Sequence, residues 1–370
     1  MYKLLILIIA LFSLTACGRG TNNKASNTGS NRPLNIGLLS STGGIGDRSF
    51  NDASLSGILR AEVEHGITFD FSQPLTDDDI FPMLLEMVES NQFDLIFVMA
   101  AGNAQKEAIE YVNANFPSQK ISHVDSSLEL PNVSGLQTKW QEQTFLTGIM
   151  AGLGTLSDMP LANPDQNKLG MIIGTDIPIM RQGLLGFMAG ARLVNPDVEM
   201  IYDFTESFTD KEIAYDMSMD MFDTGIDFIL TITAAAGRGV YSASRDAMRY
   251  SFASGASQNF IEPDHIVATA YRNVAELVFN EIDALTQGTW QDGLHLSGLL
   301  QESVGFDVFQ SNVVIPDVIM DAVYLALEMV MDGEMVVVSE FDDLEDWLLT
   351  YQPYFEHFIP LLQLPTVIEE

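Results

Sequence analysis

Residues 94–115 have the sequence DLIFVMAAGNAQKEAIEYVNAN, which contains one complete strand-turn-helix unit. Asp94 to Met99 is a nearly continuous apolar run, and this predicts a strand that is buried on both faces. Ala100 to Asn103 is a turn of small residues, and Asn103 to Asn115 has the apolar spacing of a helix. A buried strand that leads directly into a helix is the repeating unit of a parallel sheet covered by helices.

The same unit recurs along the chain with a period of about 30 residues. In the first half the predicted elements are strands at Asn35–Leu39, Ile67–Phe71 and Ile121–Val124, with helices at Asp47–Glu64 and from Asp77 to about Ser90. In the second half they are helices at Trp140–Leu156, Ile177–Val194, Thr209–Thr224 and Gly239–Met248, with strands at Leu169–Ile173, Val198–Tyr202 and Asp227–Thr231. The pattern predicts an α/β protein with two lobes, about 34–127 and about 128–254, each completed by later segments.

Four glycine-rich or small-residue turns follow predicted strands: Ser40–Gly46, Ala100–Asn103, Gly174–Asp176 and Ala234–Gly239. Ligands of open α/β sheets bind at the carboxyl ends of the strands. In a protein of two lobes we therefore expect these turns to face one another across a ligand-binding cleft.

The N-terminal residues 1–17, MYKLLILIIALFSLTAC, predict a secretory signal peptide at 1–16. The apolar run from Leu4 to Phe12 is too short to cross the roughly 30 Å hydrocarbon core of a membrane. Leu14 to Cys17 resembles the bacterial lipobox, in which cleavage leaves a lipid-modified cysteine at the N-terminus. With the polar segment 17–33 as a flexible tether, the sequence predicts a body anchored to the cell membrane through Cys17 and facing the periplasm or the cell exterior.

Composition and motifs argue against several classes of function. The chain has 17 Lys and Arg against 51 Asp and Glu, a net charge of −34, which disfavours binding to nucleic acids. A single cysteine and five scattered histidines predict no metal site. No Gly-x-Ser-x-Gly elbow or Walker loop occurs, and Gly43–Gly46 lacks the lysine of a phosphate cradle. The expected protein is a binding protein, with neither catalytic residues nor a cofactor.

A family resemblance rests on several segments in order. Gly46–Asn51, GDRSFN, resembles the Asp-Asp-Lys-Ser-Phe-Asn start of the basic membrane protein family of lipoproteins. Further similar segments are Asp176–Arg181, Gly186–Gly190, Val194–Val198, Ser207–Asp210 and Ala236–Val240, within a match over roughly 34–338. The resemblance implies a type I periplasmic-binding-protein fold, two doubly wound lobes joined by a hinge. Its PnrA-like branch delivers purine nucleosides to an ABC transporter, so the implied partners are a small ligand and a permease.

In that branch an aromatic ring stacks on the base, while carboxylates and a lysine hold the base and the ribose. The resemblance implies that Asp47, Phe50 and Asn51 lie at the site, with Phe50 as the stacking ring or, alternatively, packed in the first lobe. Asn103 aligns with the carboxylate that binds the base, although it also suits a helix cap. Phe208, within Ser207–Asp210, is either a ligand contact or a core residue.

The remaining implied contacts depart from the family. The ribose-binding segment aligns with Ser254–Gln258, where Gly255 offers only backbone groups and Ser257 one hydroxyl. Arg272 aligns with the family lysine and is either a ligand contact or part of a surface salt bridge. Gly237 lies in the similar turn of the second lobe.

These replacements predict weaker binding of purine nucleosides than in family members that keep both carboxylates. With Arg272 retained, an acidic or phosphorylated ligand is the alternative. A surface antigen or adhesin on the same fold and a nucleoside-processing enzyme are the alternative functions. Segment 339–370, rich in acidic and aromatic residues, either packs on a lobe or contacts a partner. We expect a monomer.

Overall fold

The computed structural model describes residues 32–48, 50–100, 102–126 and 128–362. The predicted signal peptide, Cys17 and most of the tether lie outside the described residues, as does the end of the chain from 363 to 370. Within the described ranges no helix has the length and apolar character needed to cross a membrane.

The first lobe is built from the N-terminal part of the body and one later return of the chain. Its elements are β1 (Asn35–Leu39), α1 (Phe50–His65), β2 (Thr68–Ser72), α2 (Ile80–Glu89), β3 (Leu95–Met99), α3 (Asn103–Asn115), β4 (Ile121–Val124), β5 (Val133–Thr138), α8 (Val274–Gln287) and β11 (Gly293–Ser297). The strands form one parallel sheet in the order β11-β5-β4-β3-β1-β2. Apolar side chains are buried on both faces of this sheet.

The second lobe repeats this design. Its elements are α4 (Trp140–Gly154), β6 (Lys168–Ile173), α5 (Pro178–Val194), β7 (Glu199–Phe204), α6 (Lys211–Asp223), β8 (Phe228–Ile232), α7 (Gly237–Ala247), β9 (Tyr250–Gly255), β10 (Ile266–Arg272), β12 (Val304–Asp307), α9 (Asp317–Met331), α10 (Leu344–Tyr351) and α11 (Phe358–Leu362). The sheet order is β12-β10-β9-β8-β6-β7, and only the β10–β12 pair is antiparallel. The α/β class and the two doubly wound lobes are confirmed.

Three chain segments connect the lobes: β5 to α4, β10 to α8, and β11 to β12. They lie side by side, because the Lys139 backbone N–H donates to Ser297 and that of Asn273 to Ser303, at 2.8 and 2.9 Å. The buried carboxylate of Glu142 accepts hydrogen bonds from the Lys139 ammonium at 2.8 Å and the Leu299 backbone N–H at 2.7 Å. One side chain therefore joins the first and third connections.

The lobe boundary differs from the expectation. Strand β5 pairs with β4 in the first sheet, so the first lobe continues to Thr138 instead of ending near residue 127. The sequence of β5, VSGLQT, has a glycine and three polar residues and only two apolar ones, which hides its strand character.

Most predicted elements lie within a few residues of their expected bounds, and β1, α3 and β4 match them. Helix α1 begins at Phe50 and not at Asp47. The Asp47 carboxylate accepts hydrogen bonds from the backbone N–H groups of Asn51 and Asp52, at 2.9 and 3.2 Å. It therefore satisfies otherwise unpaired donors in the first turn, a capping role that places it outside the helix.

Helix α4 is the centre of the second lobe, since all of its residues are buried. It packs closely against α5 through glycines. A β-carbon on Gly190 would lie 2.0 Å from the Phe145 carbonyl oxygen. The backbones approach so closely that no side chain fits between them at this point.

The C-terminal segment packs on the second lobe. Trp347 of α10 lies edge-on to Phe145 with 5.8 Å between the ring centroids, and its indole N–H donates to the Val336 carbonyl at 2.7 Å. Phe355 and Phe358 are buried in the same core. Of the two expectations for segment 339–370, the structure supports packing on a lobe for its described part.

Asp227 is a buried carboxylate directly before β8. It binds the segment that follows α4, which lies far from it along the chain. It accepts hydrogen bonds from the Thr155 hydroxyl at 3.0 Å and from the Asn163 backbone N–H. Burial nevertheless raises the pKa of Asp227 from 3.8 to about 6, against the opposing effect of these bonds and of Arg249. The fold therefore favours the protonated form of this side chain.

Gly190→Ala tests the contact between α4 and α5. We expect the free energy of unfolding to fall by about 1–3 kcal/mol, because overpacking outweighs the gain in helix propensity. Gly305→Ala is the control, since no atom lies within 4 Å of a β-carbon there. Urea unfolding measures both, and equal stabilities of the two variants would contradict the prediction.

Asp227→Asn tests the buried carboxylate through pH. A raised pKa in the folded state means that Asp227 contributes stability below pH 4, and that this contribution is lost as the pH rises through about 6. We expect the variant to gain up to about 3 kcal/mol over the native protein between pH 4 and 7. Urea unfolding of both proteins across this range measures the difference, and a difference independent of pH would refute it.

Candidate functional site

A cavity of about 520 Å³ lies between the two lobes. Its lining comes mainly from residues that follow strands, because the carboxyl ends of both sheets face it. These residues are Ser41–Gly43, Ala100, Gly102–Gln105 and Asp125 from the first lobe, and Thr175–Ile177, Glu206, Phe208, Ala234, Ser254–Ala256 and Arg272 from the second. All four turns that the sequence singles out contribute to the cavity.

The wall from the first lobe is held by the β1–α1 turn. Asp47 accepts a hydrogen bond from the Asn51 side-chain amide at 3.0 Å, and the Asn51 amide oxygen accepts one from the Ser41 backbone N–H at 2.9 Å. Both side chains are buried, and they place the half-buried Phe50 at the start of α1. Asp47 and Asn51 therefore shape the cavity wall through contacts within the turn.

The floor of the cavity is a buried ion pair between the lobes. Arg272, the last residue of β10, donates from both terminal nitrogens to Asp125, which follows β4, and one of these bonds measures 3.1 Å. The guanidinium carbon lies 4.8 Å from the centroid of the Trp140 ring and 5.2 Å from that of Phe50. The Trp140 indole N–H donates to the same carboxylate at 3.4 Å. The charge of Arg272 is thus neutralised by the protein itself.

The other charged side chains of the lining are acidic. Asp47, Asp77, Asp125, Asp176 and Glu206 all line the cavity, whereas Arg272 is its one lining cation among the described residues. A hydrogen bond from the nearby Arg181 lowers the pKa of Asp176, so this carboxylate is charged. Asp176 is paired with Arg181, and Asp125 already binds the Arg272 guanidinium. Among the described residues, the lining therefore offers an anionic solute no unpaired cation.

His123, two residues before Asp125, lies behind the floor. Burial lowers its pKa, so the ring is neutral at physiological pH. Its Nε2 lies 2.7 Å from the Ala100 carbonyl oxygen, which accepts only, and Nε2 therefore carries the proton. This bond holds the β3–α3 turn, where Ala100 has a φ of +82°.

Seven of the nine residues proposed from the sequence line the cavity: Asp47, Phe50, Asn51, Asn103, Phe208, Gly255 and Arg272. Gly237 and Ser257 are not among the lining residues. Gly237 lies inside the second lobe, where a β-carbon would lie 3.3 Å from the Tyr241 hydroxyl.

The backbone around Asn103 and Gly255 limits what each of these residues can contribute. Asn103 is the first residue of α3 and is exposed, while Gly102 occupies the cap position. The alternative that Asn103 caps the helix is wrong. Gly255 has a φ of +92°, a region that disfavours a side chain, so this position contributes backbone groups only.

The structure adds cavity residues that the sequence analysis missed. Asp125 follows a predicted strand, so the rule that located the four turns would also have found it. Gln105 lies in the first turn of α3. Trp140 and Gln143 lie on α4, immediately after the first connection between the lobes, and nothing in the local sequence marks them. Among the described residues, no group of three His, Cys, Asp or Glu side chains is placed to hold a metal ion.

Two mainly parallel sheets on either side of a cavity are the arrangement found in two-lobed solute-binding proteins. Residues 35–324 match the family model described as ABC transporter substrate-binding protein, PnrA-like, and the chain belongs to this family, Bmp. It is therefore a solute-binding lipoprotein of the ABC-transporter type, and its family is not one of enzymes.

Individual relatives agree with this assignment. The chain is 25% identical to an uncharacterized lipoprotein of Pyrococcus horikoshii, over 81% of this chain and 75% of the relative. It is also 25% identical to basic membrane protein A2 of Borrelia garinii, over 83% and 88%. A solute-binding protein of an ABC transporter system from Aeropyrum pernix has the same fold, with a TM-score of 0.71 at 22% identity over 88% of this chain and all of that one. The expected type I periplasmic-binding-protein fold is confirmed.

Variants of the ion pair test its role. Arg272→Met leaves Asp125 buried without its cation, and we expect a loss of about 3–5 kcal/mol in the free energy of unfolding. The double variant Asp125→Asn with Arg272→Met should recover most of this loss. Arg60→Met is the matched control, because Arg60 pairs with Glu64 and Glu276 on the surface, where such pairs contribute at most about 1 kcal/mol. Urea unfolding measures all three, and a similar small loss for Arg272→Met and Arg60→Met would contradict the prediction.

Proposed function

We propose that this protein captures a purine nucleoside, or a closely related uncharged compound, in the cavity between its lobes and delivers it to the permease of an ABC importer. The observation that carries the proposal is the cavity itself, about 520 Å³ in volume and lined from both lobes. This volume lies within the range of sites that enclose small molecules.

Aromatic rings on both lobes support a flat ring in the ligand. Phe50 belongs to α1 of the first lobe, and Phe208 follows β7 of the second. Phe208 is half-buried against the core, and its carbonyl accepts a hydrogen bond from the Ala236 backbone N–H at 3.0 Å. The rings of a base and of an aromatic side chain attract each other by stacking.

The polar lining supports a ligand rich in hydrogen-bond donors. Carboxylates and the amide oxygens of Asn103, Gln105 and Gln143 are acceptors, and they suit sugar hydroxyls and the N–H groups of a base. The acidic lining disfavours a phosphate group, so we propose the nucleoside in preference to the nucleotide.

The positions that depart from the family bear on affinity. Asn103 and Gly255 stand where related nucleoside receptors carry carboxylates, and the φ of Gly255 disfavours a side chain there. We therefore expect purine nucleosides to bind more weakly here than to receptors that keep both acids.

The cellular location of the protein is inferred from its relatives and from its N-terminal sequence. Relatives named as lipoproteins, together with the lipobox-like Leu14–Cys17, support a lipid on Cys17 that anchors a monomeric body outside the cytoplasm. An adhesin on this fold would have no use for a cavity lined by aromatic and acceptor groups, which favours solute capture over adhesion.

Replacing either ring tests the proposal. Phe50→Leu and Phe208→Leu keep an apolar side chain and remove the stacking surface, so each should weaken binding of the best nucleoside by about 1–3 kcal/mol. Phe260→Leu, outside the cavity and 44% exposed, is the control. The measurement is calorimetry on the full-length protein in detergent, after a thermal-shift panel of nucleosides, bases, nucleotides and sugars. No response to any nucleoside, or a stronger response to nucleotides, would overturn the proposed ligand.

A further inference from the structure

Gln143 lies in the first turn of α4, directly after the first connection between the lobes. Its side chain is 1% exposed, and it lines the cavity close to Arg272 in the fold, since it contacts the same strand, β10. The family resemblance assigns no role to this position.

The orientation of the Gln143 amide is determined by its surroundings. Its Nε2 donates a hydrogen bond to the Ala270 carbonyl oxygen at 3.0 Å. A carbonyl oxygen accepts only, so the nitrogen must face Ala270 and the amide oxygen Oε1 must face away from it. This oxygen is buried and has no hydrogen-bond partner among the described residues.

A buried acceptor without a donor costs stability, and buried polar groups are almost always paired. In a cavity that binds a solute, the missing donor is available from the solute. We propose that Gln143 is a specificity-determining residue, whose Oε1 accepts a hydrogen bond from an N–H or O–H group of the bound solute. This inference rests on the proposed function, because it assigns a contact within the same cavity.

Two features make Gln143 suited to select among solutes. Its amide is held by β10, so Oε1 cannot rotate away when a solute lacks the matching donor. Its oxygen is also uncharged, unlike the carboxylates of the lining, and it therefore selects for a donor without favouring a cation. A solute with a hydroxyl or N–H group at this point should bind more tightly than the analogue without it.

The same helix supplies a matched control. Gln141 is also buried, and its Oε1 likewise has no partner among the described residues, but it does not line the cavity. Gln141→Met and Gln143→Met thus make the same chemical change at two buried positions of α4. Gln143→Lys serves as a second variant, because lysine can still donate to Ala270 but provides no acceptor. Circular dichroism shows whether Gln143→Met still folds without the Ala270 contact. If it does not, Gln143→Lys provides the binding measurement.

The experiment is calorimetry on the full-length proteins in detergent with inosine, 2′-deoxyinosine, 3′-deoxyinosine, 5′-deoxyinosine and 1-methylinosine. Each analogue lacks one donor of inosine. We expect one analogue to bind the native protein about tenfold more weakly than inosine does. In Gln143→Met and Gln143→Lys, inosine should itself bind about tenfold more weakly, and that analogue should suffer no further loss. Gln141→Met should keep the native pattern.

Native affinity for inosine in the Gln143 variants, or an unchanged penalty for every analogue, would overturn the inference and leave the proposed function intact. If the native protein binds no nucleoside, the proposal that the ligand is a nucleoside is wrong. The role of Gln143 is then tested by mass spectrometry of the solute released from each purified protein. The native protein and Gln141→Met should then carry a solute that the Gln143 variants lack. Equal solute content in all of them would overturn the inference.

Discussion

The buried pair of Asp125 and Arg272 is the interaction on which the site depends. Each partner comes from a different lobe, and Arg272 directly precedes the connection from β10 to α8. A single charge left alone at this depth would be strongly unfavourable, so the two lobes must meet in a geometry that brings the partners together. The flanking rings of Trp140 and Phe50 complete the surroundings of the guanidinium. The ion pair therefore links the arrangement of the lobes to the floor of the cavity and to the position of Phe50.

This pair also decides the electrostatic character of the cavity. The family resemblance aligns Arg272 with a lysine that is expected to hold the ligand, whereas here the planar guanidinium is bound by a carboxylate of the protein. The remaining lining combines apolar side chains with hydrogen-bond acceptors and acidic groups, and each lobe contributes an aromatic ring.

Residues in the first turn of α4 contact the ion pair, the connections between the lobes and the cavity. Trp140 contacts the ion pair, Glu142 joins two of the connections between the lobes, and Gln143 lines the cavity. The remainder of the helix is buried and packs against α5 at backbone contact. Helix α4, a rigid element of the core, therefore positions Trp140 and Gln143 at the cavity. Its close packing limits how far these side chains can move to fit a different solute.

The sequence by itself determined the α/β class, the alternating elements and the four turns that meet at the cavity. These features depend on local patterns, since an apolar run and the helix after it occupy neighbouring residues. Only the tertiary structure shows that Arg272 pairs with Asp125 and that Gln143 lines the cavity. Arg272 and Asp125 are 147 residues apart, and no spacing rule joins them. Strand β5 was missed because pairing with β4 and β11 stabilises a segment with little apolar character of its own. Alignment with a family lysine points to a ligand contact for Arg272, but nothing in the local sequence indicates that the fold also brings Asp125 within reach of its guanidinium.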